Sequence, residues 1–230
     1  VIEQATYTID DIKKGERIKK APVPFITSTL QQDASKVLNF ATSKTMRIAQ
    51  QLYEGIDVKG NGTVGFITYL RTDSTRISEE ADKNAREYVE HVYGPEFVAK
   101  VEAKKESGKK IQDAHEAIRP TDITRTPASV KESLSRDQFR LYQLIWKRFT
   151  ASRMGVAKYE TTSVKIAADQ YRFSVATSKV VFEGFHLAYT ESDEEKEESN
   201  LMVKSLDMNS KLTKESFDTK QHFTQPPAHY

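Results

Sequence analysis

The spacing of apolar residues changes once along this 230-residue chain, near position 158. Before that point apolar residues recur every three or four positions, which is typical of amphipathic helices. The clearest such stripe consists of Phe139, Tyr142, Ile145, Trp146 and Phe149. After that point apolar and polar residues alternate, which predicts strands with one buried face. A chain that has a helical part and a β part is expected to fold as two packed units.

Two alternating stretches indicate where the β part lies. Residues 164–166 and 171–175 alternate on either side of turn-forming residues at 168–170, so they are predicted to form a β-hairpin. A shorter alternating run, which contains Tyr7 and Ile9, stands near the start of the chain.

These patterns together predict an α+β fold. A mainly helical domain of residues 23–157 is inserted into an antiparallel β domain that is made of residues 1–22 and 158–230. The basic stretch 13–20 is interpreted as a solvated linker between the first strand and the helices, with a patch that faces phosphate groups as the alternative.

The helical part is predicted to begin with two short helices. Ser28 and Gln31 have the spacing of a capping box for the first helix, and Ser43 is placed to cap the second. Two short helices joined by a tight turn resemble a helix-turn-helix, although ordinary helix packing explains the pattern equally well. Residues 57–64 are rich in turn formers and are predicted to be a loop.

Composition excludes several classes of protein. The net charge is +2, so any nucleic-acid surface must arise from local clustering of basic residues. There are no cysteines, which excludes disulfides and cysteine-ligated zinc within the chain. No apolar run approaches the ~18 residues of a membrane helix, and no secretory signal is visible, so a cytoplasmic protein is expected. The chain starts at Val1 rather than Met, and we expect it to be a piece of a larger protein.

Basic residues do cluster on the predicted helix that carries the aromatic stripe and just beyond it. Six of them stand against one acid between positions 136 and 158: Arg136, Arg140, Lys147, Arg148, Arg153 and Lys158. Two interpretations are open, a surface that binds a nucleic-acid backbone and a face that is simply solvated.

Residues 65–75, Gly-Phe-Ile-Thr-Tyr-Leu-Arg-Thr-Asp-Ser-Thr, form the least ordinary run in the chain. Their β-branched and aromatic content predicts a short strand over 66–70. Alternate residues of a strand point to the same side, so Tyr69 and Arg71 are expected to share a face. A guanidinium beside a phenol stabilises the phenolate and can hold a phosphate, and Asp73 is placed to orient it. The alternative is a half-buried edge strand with an incidental Arg–Asp pair.

A second notable run lies at residues 113–122, Asp-Ala-His-Glu-Ala-Ile-Arg-Pro-Thr-Asp. His115 and Arg119 are four positions apart, which predicts a shared helix face just before Pro120. Two donor groups on one face can bind a phosphate, although residues at this spacing are also common on ordinary surfaces.

Taken together, the runs at 65–74 and 114–120 resemble the motifs of type IA DNA topoisomerases, in particular the bacterial members. Three further stretches match the same family in the same order: Pro24–Gln32, Leu141–Trp146 and Gln221–Thr224. The resemblance covers nearly the whole chain and favours the catalytic interpretation of Tyr69.

The resemblance implies a role for each residue of the two runs. Tyr69 would attack a single-stranded DNA phosphodiester and form a 5′-phosphotyrosine, and Arg71 would hold the scissile phosphate. His115 and Arg119 would contact DNA near the site. Support would come from three residues of the first run: Thr68, Asp73 and Ser74.

The resemblance also implies partners that this chain lacks. Type IA enzymes relax negatively supercoiled DNA without ATP, using Mg²⁺ held by a domain with an Asp-x-Asp motif. No Asp-x-Asp occurs in the 230 residues, so no metal is expected here and the chain is expected to be inactive alone. Single-stranded DNA and the remaining domains of the same polypeptide are the expected partners, at the bacterial nucleoid. The β part would be the arch that opens the gate, with hinges near 21–24 and 155–159.

Two other functions stay open. One is a non-catalytic DNA-binding module, in which Tyr69 packs or stacks against a base. The other is a structural hinge that binds no DNA, which predicts no salt-dependent binding of single strands.

Overall fold

The computed structural model describes residues 5–58, 60, 62–100 and 115–189. It also describes seven single positions: Met208, Leu212, Ser216, Lys220, Gln221, Phe223 and Thr224. Most of the predicted β domain beyond residue 189 therefore lies outside the described residues. The described part contains five α-helices and two antiparallel sheets, which confirms the predicted α+β class.

The larger sheet has three long strands in the order β1-β4-β5. Its strands are β1 (Tyr7–Lys19), β4 (Ala157–Ala168) and β5 (Tyr171–Phe182). β4 and β5 form the predicted hairpin, and Asp169 occupies its turn with a φ of 52°. Asp tolerates this left-handed conformation better than most residues, which explains why the turn falls there.

The prediction of a linker at 13–20 is wrong, because β1 continues to Lys19 and pairs with β4 along its length. Backbone pairing decides the structure here, and the side chains of this half of β1 remain largely exposed. Basic residues are compatible with a strand whose two faces are both exposed to solvent. On an edge strand they also discourage pairing with other chains.

The helices and the smaller sheet lie between β1 and β4 in the chain. The helices are α1 (Thr27–Leu38), α2 (Thr42–Glu54), α3 (Glu79–Tyr93), α4 (Pro127–Val130) and α5 (Arg136–Ala151). The smaller sheet is a hairpin of β2 (Ile56–Val58) and β3 (Gly62–Val64). The stretch that was predicted to be a loop at 57–64 is therefore mostly paired.

The first two helices begin earlier than predicted. α1 starts at Thr27, and Thr29 Oγ1 accepts a hydrogen bond from the Ile26 N–H at 3.1 Å. The predicted Ser28–Gln31 box is therefore wrong. α2 starts at Thr42, so Ser43 lies inside the helix rather than at its cap.

Helix α5 lies in the centre of the hydrophobic core. Leu141, Tyr142 and Ile145 are completely buried, as the aromatic stripe predicts. Two polar atoms on this face bind backbone: the Tyr142 hydroxyl donates to the Arg125 carbonyl at 2.6 Å, and Trp146 Nε1 donates to the Ile123 carbonyl at 2.9 Å. The helix therefore also anchors the loop that follows the second notable run.

The basic face of α5 does not form a continuous surface. Arg148 is buried and donates to the Val23 carbonyl at 2.7 Å, Arg140 donates to the Leu38 carbonyl at 3.3 Å, and Arg153 pairs with Asp82. The exposed members of the set are Arg136, Lys147 and Lys158. Half of the predicted cluster therefore serves internal contacts.

Asp82 joins α3 to the end of α5 and is expected to give the fold an acid-sensitive contact. Burial alone would raise the pKa of Asp82, but hydrogen bonds from Arg86 and Arg153, and their charges, lower it below the ordinary 3.8. A carboxyl group whose pKa is lowered by folding stabilises the folded state at pH values above its unfolded pKa. That stabilisation is lost as the pH falls through its pKa in the folded state.

We therefore expect Asp82→Asn to destabilise the protein at pH 7, with a difference from wild type that shrinks as the pH falls below about 4. Urea unfolding from pH 7 to 3 measures it. Glu87→Gln is the control, because the Lys83–Glu87 pair is 3.8 Å long and exposed. A gap that stays constant with pH would contradict the prediction.

Gly184 lies where β5 returns to the start of β4. Its φ is +51°, and a Cβ there would stand 2.6 Å from the Gly155 carbonyl oxygen and closer still to that of Val156. Gly184→Ala is expected to lower the unfolding free energy by roughly 2 kcal/mol or more, because backbone strain and a backbone clash add. Gly60→Ala is the control, since φ there is +86° but no atom of the described residues lies within 4 Å of an added Cβ. Equal losses in urea unfolding would mean that the clash has no effect.

No helix in the described part of the chain is long and apolar enough to cross a membrane.

Candidate active-site cleft

The first notable run is extended, but it is not a strand of a sheet. Ile67 forms a single bridge with Pro120, flanked by hydrogen bonds from Thr68 N to the Arg119 carbonyl (2.9 Å) and from Thr121 N to the Phe66 carbonyl (3.0 Å). The ladder does not extend, because the Phe66 N–H donates to the Leu52 carbonyl and the Arg119 N–H donates to Thr68 Oγ1 instead of to the opposite backbone. The predicted strand at 66–70 is therefore wrong, although the local pairing is antiparallel.

Exposure nevertheless alternates along this run. Tyr69 is 43% exposed and Leu70 1%. Arg71 and Asp73 are exposed, whereas the residues between and after them are buried. Tyr69 and Arg71 thus share a side of the segment, as their spacing predicts, and that side, which also carries Asp73, is exposed.

The Tyr69 ring lies between two other rings. The His115 ring is stacked at 6.2 Å between centroids with an interplanar angle of 24°, and the Tyr53 ring meets Tyr69 edge-on at 5.5 Å. Contacts of this kind restrict the motion of an exposed ring. The phenol therefore has a preferred direction even though water reaches it.

A cleft of about 380 Å³ lies beside this ring. It is lined by Ile26, Thr27, Ser28, Arg71, Thr72, Asp73 and His115. Because the first turn of α1 forms one wall, the positive end of the helix dipole faces the cleft. A guanidinium, an imidazole and a helix N-terminus against one carboxylate make a cleft suited to a phosphate group.

The side chains of Thr68 and Ser74 form hydrogen bonds with backbone groups and do not line the cleft. Thr68 Oγ1 donates to the Ala117 carbonyl at 2.6 Å and accepts the Arg119 N–H at 3.0 Å. Ser74 is buried, and its hydroxyl accepts the Arg76 N–H at 3.2 Å. Both side chains therefore shape the backbone that carries the exposed residues.

The described part of the second notable run, residues 115–122, is not helical, and His115 and Arg119 do not line the same cavity. This segment is extended, with Ile118 bridged to Phe25. His115 lines the cleft, whereas Arg119 lines a separate cavity of about 640 Å³. Two hydrogen bonds, of 2.6 and 3.0 Å, tie the Arg119 guanidinium to one carboxylate oxygen of Glu116. The structure therefore brings His115, but not Arg119, to Tyr69.

A sequence model of DNA topoisomerases matches residues 1–230. The chain belongs to the DNA topoisomerase family. A solved structure, full-length topoisomerase I from Thermotoga maritima, is 38% identical, with a TM-score of 0.76. The match covers 89% of this chain and 32% of that protein, so the chain spans about a third of its length. Family membership confirms the resemblance seen in the motifs.

The cleft of this topoisomerase chain does not suit a magnesium ion by itself. Asp73 is the one carboxylate among its lining residues, and the described residues contain no group of three or more His, Asp or Glu side chains that could hold a metal. Mg²⁺ prefers six oxygen ligands in octahedral geometry, including carboxylates. A donor set with one carboxylate does not fit it.

Within the described residues, no hydrogen bond or ion pair joins Arg71 to Asp73. Both side chains line the cleft of the topoisomerase chain. The orienting role of Asp73 stays a prediction.

Sequence reasoning missed two residues of this site, Tyr53 and Thr27. Tyr53 belongs to the apolar stripe of α2 by spacing, yet it is 40% exposed and touches Tyr69. Its place at the edge of that stripe was the only available signal. Thr27 lies one residue before the predicted capping box, so its hydroxyl carried no signal of its own.

Proposed function

We propose that this chain supplies the nucleophile and part of the DNA gate of a type IA DNA topoisomerase. The observation that carries the proposal is the exposed phenol of Tyr69, whose ring stacks on His115 at the wall of a cleft that also contains Arg71. Membership of the topoisomerase family supplies the substrate class, which is DNA.

The chemical step is a transesterification. The Tyr69 oxygen attacks the phosphorus of a single-stranded phosphodiester, a tyrosyl O–P bond forms, and the bond from phosphorus to the 3′ oxygen breaks. The phenol gives up one proton and the departing 3′ oxygen takes one up. The product is a 5′-phosphotyrosine and a free 3′-hydroxyl. Reversal reseals the strand, and no ATP is needed because one phosphoester replaces another.

The cleft residues stabilise charge on the phosphate during this step. Arg71 donates to the non-bridging oxygens, and the first turn of α1 adds the positive end of its dipole. His115 holds the Tyr69 ring by stacking and can donate to the same phosphate. Arg119 acts indirectly, because its backbone binds Thr68 while its side chain stays with Glu116.

The complete protein is proposed to relax negatively supercoiled DNA by passing one strand through the break. A domain outside this chain binds Mg²⁺, so this chain alone is inactive. Residues 23–157 move against the β domain (residues 1–22 and 158–230) at hinges near 21–24 and 155–159. The enzyme acts in the bacterial cytoplasm at the nucleoid, and its partners are DNA and the remaining domains of the polypeptide.

The test is to trap and locate the covalent bond. The full-length protein is incubated with Mg²⁺ and labelled single-stranded DNA, denatured, digested with protease and analysed by mass spectrometry. The nucleotide is expected on the peptide that contains Tyr69, as a 5′-phosphate ester. A nucleotide found on any other side chain would overturn the proposal.

The same experiment separates the two other functions. A DNA-binding module forms no adduct but binds single strands in a salt-dependent way, and a structural hinge does neither. Exposure of Tyr69 in this chain argues against a tyrosine that only packs in the core, but a tyrosine that stacks on a base would also be exposed, so the adduct decides between the nucleophile and the module.

A further inference from the structure

Thr27, the first residue of α1, holds the backbone on both sides of Arg71. Its hydroxyl donates to the Leu70 carbonyl at 2.8 Å, lies 3.0 Å from the Thr72 carbonyl, and accepts the Thr72 N–H at 2.9 Å. Its own N–H donates to the Thr72 carbonyl at 2.9 Å. One residue thus binds three backbone groups of the segment that follows Tyr69.

Among the described residues, these are the hydrogen bonds that connect residues 70–72 with α1. The other side of the run, at 66–68, is tied to residues 119–121 instead. Tyr69 lies between the two attachments, and Arg71 lies between the two residues whose backbone Thr27 binds. Loss of the Thr27 hydroxyl would therefore free one end of the segment while the other stays fixed.

We propose that Thr27 is a positioning residue for the cleavage step, and that it sets the placement of Arg71 relative to Tyr69 through the backbone of 70–72. This inference rests on the proposed function. Arg71 has an exposed, flexible side chain, so its reach toward a phosphate depends on where its backbone lies. A displacement of about 1 Å at a reacting group can cost on the order of 100-fold in rate.

The test compares three variants of the full-length protein. Thr27→Val keeps the shape and removes the hydroxyl, and Thr27→Ser keeps the hydroxyl. Thr29→Val is the matched control, because Thr29 caps the same helix turn through Ile26 without touching 70–72. Cleavage of labelled single-stranded DNA gives kcat and KM, and amide exchange at Thr72 reports its bond to Thr27.

Thr27→Val is expected to lower kcat for cleavage by roughly 10- to 100-fold, with little change in KM and faster exchange of the Thr72 amide. Thr27→Ser should restore both, and Thr29→Val should lower stability without this loss of kcat. Should the valine variant not fold, Thr27→Ala carries the same comparison.

Wild-type kcat in Thr27→Val would overturn the inference, and so would equal losses in Thr27→Val and Thr29→Val. The failure of the proposed function is distinguishable, because in that case the wild-type protein itself would place no DNA on Tyr69.

Discussion

Replacing Tyr69 by phenylalanine should abolish the covalent adduct between protein and DNA. Phenylalanine keeps the ring between Tyr53 and His115 but removes the oxygen that would bond to phosphorus. None of the residues that line the neighbouring cleft is a tyrosine, and the phenol in contact with Tyr69 is that of Tyr53. The expected loss of adduct is at least about 1,000-fold, the scale on which enzymes lose activity without their nucleophile. The measurement is the amount of labelled DNA that stays with the denatured full-length protein.

Binding of single-stranded DNA should survive this change, because Arg71, His115 and the first turn of α1 remain. Tyr53→Phe tests the neighbouring phenol, and its adduct should still form on Tyr69. Tyr171→Phe is the distant control, since Tyr171 is an exposed tyrosine at the start of β5. An adduct of wild-type yield in Tyr69→Phe, or its loss only in Tyr53→Phe, would assign the chemistry to a different oxygen.

Periodic elements could be predicted from the sequence because each depends on local spacing. Helix α5, which carries the stripe, begins with a capping box: the Ser135 hydroxyl accepts the Gln138 N–H at 3.3 Å, and Gln138 Oε1 accepts the Ser135 N–H at 2.9 Å. The hairpin of β4 and β5 depends on alternation around one turn. In both cases the residues that decide the structure are close together in the chain.

The extended segments of the cleft could not be predicted in this way. The segment that carries Tyr69 and the segment that carries His115 are held by isolated bridges, between Ile67 and Pro120 and between Phe25 and Ile118. Each bridge joins residues more than 50 positions apart, so local propensity favoured a strand for one segment and a helix for the other. The shared face of Tyr69 and Arg71 could be predicted, because alternate residues of any extended backbone point to the same side.

The polar contacts that position the site are also long-range. Thr27 binds residues more than 40 positions away, and its hydroxyl resembles any other at a helix start. Arg148 was counted with a basic outer face, yet it is buried. From the sequence alone a charged side chain is expected to be solvated. Its burial cannot be predicted, because it depends on partners that are distant in the chain.

Arg148 is the buried charge on which the junction between the two parts of the chain depends. Its guanidinium donates to the Val23 carbonyl at 2.7 Å and lies 3.3 Å from both Asp33 Oδ2 and the Tyr189 hydroxyl. It also lies 4.8 Å above the Phe25 ring. It therefore connects α5 with α1, with the linker after β1 and with the segment after β5.

Tyr189 completes this cluster by donating to Asp33 at 2.6 Å. Burial and the hydrogen bond to Asp33 raise the pKa of Tyr189 far above its ordinary value, so the phenol keeps its proton at neutral pH. The Asp33 carboxylate thus accepts hydrogen bonds from two donors. Without Arg148 it would keep only the hydrogen bond from Tyr189.

Arg148→Met should lower the unfolding free energy by about 2 kcal/mol, because it leaves the partly buried Asp33 carboxylate without its cation and the Val23 carbonyl without its donor. Methionine keeps the apolar contact with Phe25, so the loss reports polar interactions. Lys147→Met is the matched control on the exposed side of α5 and should change stability by less than about 0.5 kcal/mol. Urea unfolding with linear extrapolation measures both.

A double-mutant cycle with Asp33→Asn distinguishes pairing from packing. Asparagine keeps an acceptor for Tyr189 but has no charge, so the double variant should be at least about 1 kcal/mol more stable than the sum of the single losses predicts. Strict additivity would mean that Arg148 stabilises the junction through contacts other than its ion pair with Asp33, among them the hydrogen bond to Val23 and the contact with Phe25. The ion pair with Asp33 would then contribute nothing to holding α1, and with it Thr27, against the rest of the chain.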